Sequence, residues 1–153
     1  NVNFNVKHLN AQNRDHLKYV AKTCKKLARK LFHTMGKWQA KLEFEQLILG
    51  NFVDISTDLF VMSATLAYTE CLLAKDPSDT TPQELADLFC RNARIRIAQN
   101  FHAVKCNHNY LYKKISQDFM DGKFRWLITD VITDVPPKYR DYAKNLNKAP
   151  DAK

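Results

Sequence analysis

The sequence predicts an all-α protein, an antiparallel helical bundle of about four to five helices with one of them very long. Three observations predict it. In the most apolar stretch, "ILGNFVDISTDLFVMSATLA", Ile48, Phe52, Ile55, Leu59, Met62 and Leu66 step by four and three residues, the spacing that lines one face of a helix. Only three glycines and five prolines punctuate the 153 residues, too few for many short strands. The breaks between periodic segments are short, and helices joined by short connections pack as antiparallel neighbours.

Residues 1–12 alternate weakly through Val2, Phe4 and Val6 and read as an extended lead-in. A first helix follows from Asn13, a candidate N-cap, to Met35, with Gly36 as its stop. Its apolar stripe is Leu17, Val20, Cys24, Leu27 and Leu31, widened by Ala21, Ala28 and Met35. A second helix spans Lys37 to Ala74, roughly 38 residues or about 57 Å at the helical rise. Leu49, Val53, Phe60, Ala64 and Ala67 widen its apolar stripe, so most of its circumference is expected to be buried. Asn51, Asp54, Asp58 and Thr65 form the opposite stripe, with both aspartates expected to face solvent. Those aspartates argue against a membrane span, which needs roughly 20 residues nearly free of charge. Gly50 marks either a bend or a close helix crossing.

"KDPSDTTPQEL" reads as a loop ending in a cap. Thr81 precedes Pro82, and Glu84 stands three residues after Thr81 as in a capping box. A third helix from Pro82 to Lys105 sets Leu85, Phe89, Ala93, Ile97, Phe101 and Val104 on one face. A fourth runs from Tyr110 to Asp121 and stops at Gly122. "FRWLITDVI" is a final short helix or a strand, ended by Pro136 and Pro137. The organisation is a lead-in over 1–12, a helical bundle over 13–135 and a loose tail over 136–153.

An apolar fraction of 45% and a charged fraction of 26% are those of a soluble globular domain. No signal peptide, lipidation motif or transmembrane run is visible. The opening "NVNFNVKHLN" lacks a methionine, as in a fragment or processed product. Cys24, Cys71, Cys90 and Cys106 lie far apart without a CxxC pair. They read as reduced thiols of a cytosolic or matrix-like compartment.

The net charge is +8. Lys18, Lys22, Lys25, Lys26, Arg29 and Lys30 crowd the first helix and are the candidate contacts to an anionic surface. Arg91, Arg94 and Arg96 form a second patch, and Lys113, Lys114, Lys123 and Arg125 a third. The same charges also suit a merely solvated helix face.

The inventory for chemistry is empty. A di-iron bundle needs Glu-x-x-His pairs, and none occurs. His102, Cys106 and His108 stand near a helix end as zinc-type donors without an evident fourth ligand. Neither GxGxxG nor GxxxxGK is present, and no nucleophile sits in a recognisable turn. No catalytic, cofactor-binding or metal-binding residue is assigned.

Three stretches carry a resemblance. "FVDISTDLFVMSATLAY" is similar to a segment of the acyl-CoA dehydrogenase family: "DL" plus an aromatic residue, a methionine, then an alanine-rich turn ending in leucine. "ADLFCRNARIRI" resembles an aromatic-Cys-x-x-Ala-x-x-x-Ile segment at a similar distance downstream, and "HTMGKWQAKLEFEQLILGN" resembles the lead-in to the first. The very-long-chain members, which carry an extra helical domain after the catalytic core, are nearest in pattern. Where they tend to have Ser-Arg-Ala, this chain has Ala67, Tyr68 and Thr69, so no role of that arginine carries over.

The resemblance implies the C-terminal helical domain of an FAD-dependent acyl-CoA dehydrogenase of the fatty-acid β-oxidation type. FAD belongs to the parent enzyme, and none is expected in this fragment, because the family's catalytic glutamate and most of its FAD- and acyl-CoA-binding residues lie in the preceding core. The implied partners are that upstream core, a second subunit and, as for the very-long-chain relatives, a peripheral anionic membrane surface. The alternative is a freestanding basic helical adaptor for nucleic acid or an acidic protein, although the recognisable nucleic-acid motifs are missing.

Overall fold

The computed structural model describes residues 6–129. The elements are α1 (Ala11–Trp38), a 3-10 helix (Gln39–Phe44), α2 (Gln46–Lys75), α3 (Thr81–Lys105), α4 (Asn109–Met120) and α5 (Trp126–Thr129). Among the described residues there is no strand. The start of the lead-in, the expected end of the bundle at 135 and the tail over 136–153 lie outside the described residues, as does the end of "FRWLITDVI".

The described residues up to Asn107 form one compact unit. In it, contacts between α1 and α3 advance together along both helices. Asn10 N–H donates to Gln83 Oε1, His16 meets Asp87, the Arg94 guanidinium lies over the Tyr19 ring and Lys26 over Phe101. The two helices are therefore parallel. α2 runs the other way, since Glu70 near its end receives the backbone before α1 while Asp58 pairs with Arg96 late in α3.

The core follows the period of α2. Its buried residues are Ile48, Phe52, Ile55, Leu59, Met62, Leu66, Thr69 and Leu73, one unbroken stripe at steps of three and four. α3 answers with small side chains, burying Ala86, Cys90, Ala93 and Ile97, so the two helices pack closely. α1 adds Leu17 and Val20 with the polar Asn13, His16 and Thr23. α2 is also long and apolar enough to cross a membrane by length and composition. Here it is the central helix of the unit.

Several sequence expectations shift. α1 is capped by Asn10, whose Oδ1 accepts the Asn13 N–H at 2.9 Å; Asn13 is a turn inside, buried, with its amide donating to Gln83 O. Gly36 does not stop the helix, which ends at Gln39 with φ at 48°. The single helix expected from Lys37 is instead a 3-10 segment and then α2. At Gly50 there is open space where a Cβ would stand, so no close crossing occurs there. Thr81 does not cap α3; its N–H and hydroxyl both donate to Asp79 Oδ1. On α3 Ala93 and Ile97 are buried as expected, but in the first turns Ala86 and Cys90 take the buried places of Leu85, which is exposed, and Phe89, which like Phe101 and Val104 is half-buried.

The second unit begins at His108. α4 buries no residue within it and ends where expected. Gly122, at φ 75°, donates to Phe119 O, and Lys123 N–H donates to Asp118 O. That pair of bonds is a Schellman motif, in which glycine takes the left-handed position without a Cβ penalty.

Candidate functional site

α1 positions all the cations singled out from the sequence. Lys18, Lys22, Lys25 and Arg29 step by four, three and four residues, with Lys26 and Lys30 beside them, and all are exposed. Lys18, Lys22, Lys25 and Arg29 lie across the helix from buried His16, Val20 and Thr23, because side chains three and four apart share a face, while Lys26 and Lys30 stand on the Thr23 side. Asp15 is the only acid on α1, and it pairs with Arg94 at 3.0 Å. Among the described residues none of these cations has a carboxylate within reach. Lys26 instead lies over the Phe101 ring at 4.3 Å and Arg29 Nε donates to Lys25 O. The result is an unneutralised cationic crest.

Beside the crest, on the flank away from α3, the surface is apolar. A groove of about 360 Å³ runs between α1 and α2, lined by Cys24, Leu27, Ala28 and Leu31 on one side. Ser56, Leu59, Phe60 and Ser63 line the other. The hydroxyls of Ser56 and Ser63 donate to Val53 O and Leu59 O, which leaves the groove no free hydroxyl donor. Phe60 is 73% exposed and Val53 60%, and Phe32 and Met35 are exposed along α1. Of these, Met35, Val53 and Phe60 were expected in the core. Three helices bury only one stripe of α2, so its second apolar stripe faces outward. The signal was present in the sequence as an apolar arc wider than two neighbouring helices can cover.

The α1–α3 seam is polar and closed by partners. Arg94 has only donors, so its bond to His16 Nδ1 at 3.2 Å makes that nitrogen an acceptor. The ring proton is then on Nε2, which donates to Asp87 Oδ1 at 2.9 Å. Arg91 donates to the other Asp87 oxygen. Hydrogen bonds from Arg91 and then His16 hold the Asp87 carboxyl below the usual carboxylate range against its partial burial. Every charge here is answered, so the seam is a structural lock.

Asp54 is exposed as expected, but Asp58 is half-buried and accepts from Arg96. That pairing is possible because α3 places Arg96 opposite the polar stripe of α2. Cys90 is buried, and burial first, then the Asp87 charge, push its thiol up to about 11; that thiol is no nucleophile. All four cysteines are free. Among the described residues no group of three His, Cys, Asp or Glu side chains is placed to hold a metal ion, His102, Cys106 and His108 included. A groove of about 770 Å³ along the α1–α3 seam is lined among others by the already paired Asp15, Asp87, Arg91 and Arg94.

The described residues thus define a helical domain whose α1–α2 side sets exposed cations beside exposed apolar side chains. The family described as ACAD9/ACADV, C-terminal domain, matches residues 11–122, and the chain belongs to it. The proteins named probable acyl-CoA dehydrogenase FadE10 of Mycobacterium bovis and of two strains of Mycobacterium tuberculosis are each 36% identical over 113 residues, covering 73% of this chain. The match covers only 17% of each of those proteins. No solved structure matches the chain.

Proposed function

We propose that the chain is the C-terminal helical domain of an FAD-dependent acyl-CoA dehydrogenase of the fatty-acid β-oxidation type, and that α1 and α2 form its peripheral contact with an anionic membrane surface. In such an enzyme the flavin supplies hydride chemistry. The reading assigns no step of that chemistry to the residues described here. The upstream catalytic core and a second subunit are the protein partners of this reading. The exposed, unpaired Cys24, Cys71 and Cys106 suit a reducing cytosolic or matrix-like compartment.

One observation carries the membrane contact: the cationic crest of Lys18, Lys22, Lys25 and Arg29 runs beside exposed Phe32, Met35 and Phe60. Cations near an anionic leaflet contribute about 1 kcal/mol each, and adjacent apolar side chains enter the headgroup boundary. The domain should cosediment with anionic vesicles and not with neutral ones, less so as salt rises. Replacing Lys22, Lys25, Lys26 and Lys30 with Gln should abolish cosedimentation and leave the helical circular dichroism unchanged. A wild-type chain that ignores anionic vesicles at low salt overturns the membrane role and favours docking against the core or a second subunit.

A further inference from the structure

The side of α1 turned away from the apolar groove carries a concavity of its own. Lys26, Arg29, Lys30 and His33 line a space of about 300 Å³, and all four are exposed. At 3.6 residues per turn they share one arc of the helix, nearly opposite Cys24, Leu27, Ala28 and Leu31 of the groove. From His16 to Leu42 the chain contains no acid. Among the described residues no carboxylate lies within reach of these four side chains.

Three of the four are held in place by uncharged neighbours. The Lys26 ammonium sits 4.3 Å from the centroid of the Phe101 ring. Arg29 Nε donates to the Lys25 carbonyl, which leaves the terminal nitrogens of its guanidinium for a ligand. The His33 ring stands edge-on to Phe32, their centroids 6.0 Å apart. Donors fixed before a ligand arrives cost less ordering when it binds. The donor set then selects the ligand. Arg matches phosphate bidentately, Lys supplies a point charge, and imidazole keeps an N–H in either charge state. A carboxylate or a phosphodiester brings one negative charge, whereas a phosphomonoester carries about −1.5 to −2 on three acceptor oxygens near neutral pH. Three cations and an imidazole within about two helical turns match the higher charge. The volume is at the low end for small-molecule sites, roughly 300–1,000 Å³, and suits a phosphate head.

We infer that Lys26, Arg29, Lys30 and His33 form a binding site for a phosphomonoester dianion, carried either by a lipid headgroup or by a soluble phosphate compound. The guanidinium of Arg29 grips two phosphate oxygens, and Lys26 and Lys30 flank it. The binding is non-covalent and involves no chemical step. It does not rest on the membrane contact proposed above, because a soluble anion fills the same site.

Calorimetric titration of the full chain with inorganic pyrophosphate at low salt tests this. Saturable binding of one anion per chain is expected. Lys26→Gln with Lys30→Gln should weaken it about tenfold or more, the loss of two charge-assisted contacts. Lys18→Gln with Lys22→Gln removes the same charge from the start of the crest and should weaken it less than about threefold. Arg29→Lys keeps the charge but loses the fork, and should still weaken binding about threefold or more. All these positions are exposed, and unchanged helical circular dichroism checks that each variant is folded. Unsaturable binding, or equal losses in the two double variants, shows diffuse surface charge and overturns the inference. Competition then separates the sources. Phosphatidylcholine vesicles carrying phosphatidic acid present a monoester, and those carrying phosphatidylglycerol at equal charge present only diesters. Displacement of pyrophosphate by the first alone assigns the site to a lipid headgroup, and displacement by neither assigns it to a soluble phosphate. Equal displacement by both, or stronger displacement by the phosphatidylglycerol vesicles, removes the preference for a monoester and overturns the inference. Pyrophosphate binding is read without vesicles, so this site and the membrane contact fail separately.

Discussion

His16 and Asp87 are bonded across the α1–α3 seam at 2.9 Å, with the imidazole only 3% exposed. Asp87→Ala therefore strands a buried ring N–H. The expected loss is about 1–3 kcal/mol, the usual cost of a buried donor without a partner. Arg91→Ala, which removes the exposed partner of the same carboxylate, should move the urea midpoint little. Equal shifts for the two variants would show that the seam is not organised around His16.

Glu70 gives the fold an acid-sensitive fastening. Its partial burial raises the pKa, but the N–H groups of Lys7, His8 and Leu9 outweigh that and hold it below its ordinary value of 4.5. The folded state thus holds this proton less tightly than the unfolded chain, so the carboxylate's contribution is present above pH 4.5 and is lost as pH falls through the folded value. Glu70→Gln should flatten stability in that acidic window. At neutral pH it should cost about 1–2 kcal/mol through weaker acceptance of the N–H bonds. Paired urea titrations from pH 3 to 7 read both effects.

Gly36 and Gly50 lie inside helices with open space where a Cβ would be. Gly50→Ala should stabilise the protein by about 0.5–1 kcal/mol, the entropy penalty of glycine in a helix. Gly122→Ala should destabilise, because φ is 75° and a Cβ would stand 3.2 Å from Arg125 Nε. Opposite signs in thermal melts confirm the assignment of each glycine.

Thiol accessibility separates Cys90 from the other cysteines. Cys24, Cys71 and Cys106 are exposed and should react rapidly with an aromatic disulfide reagent, whereas buried Cys90 should react only on unfolding. Burial pushes the Cys90 thiol from 9.0 to about 11. The unfolded chain releases this proton first, so the contribution is intact below pH 9.0 and declines as pH rises toward about 11. Cys90→Ala should remove that alkaline slope.

The parts legible in the sequence were those governed by period. The steps from Ile48 to Leu66 name the buried stripe of α2 residue by residue, and Gly122 ends α4 as its position requires. Termini were less legible because caps compete locally. Asn10 and Asn13 are both good caps, and Asn13 is drawn inward by the Gln83 carbonyl, a partner 70 residues away. The break after Trp38 carries no glycine or proline, since Gln39 itself takes the positive φ. Of the candidate surface, the cations were readable from spacing alone. Its apolar half was not, because Val53 and Phe60 have the same chemistry as Ile55 and Leu59, and only the number of packed neighbours decides which stripe is covered.

The fastening of the lead-in also sets an order of assembly. Glu70 grips backbone 61 to 63 positions earlier in the chain, and Asn10 donates to Gln83 across a separation of 73. Closing such spans costs entropy that grows slowly with length and is repaid only once both ends are in place. The α2–α3 hairpin, local in sequence, can form first, and the start of α1 closes last. The amides of Lys7, His8 and Leu9 should therefore be among the earliest to exchange with deuterium, even though each has a strong acceptor in the native fold.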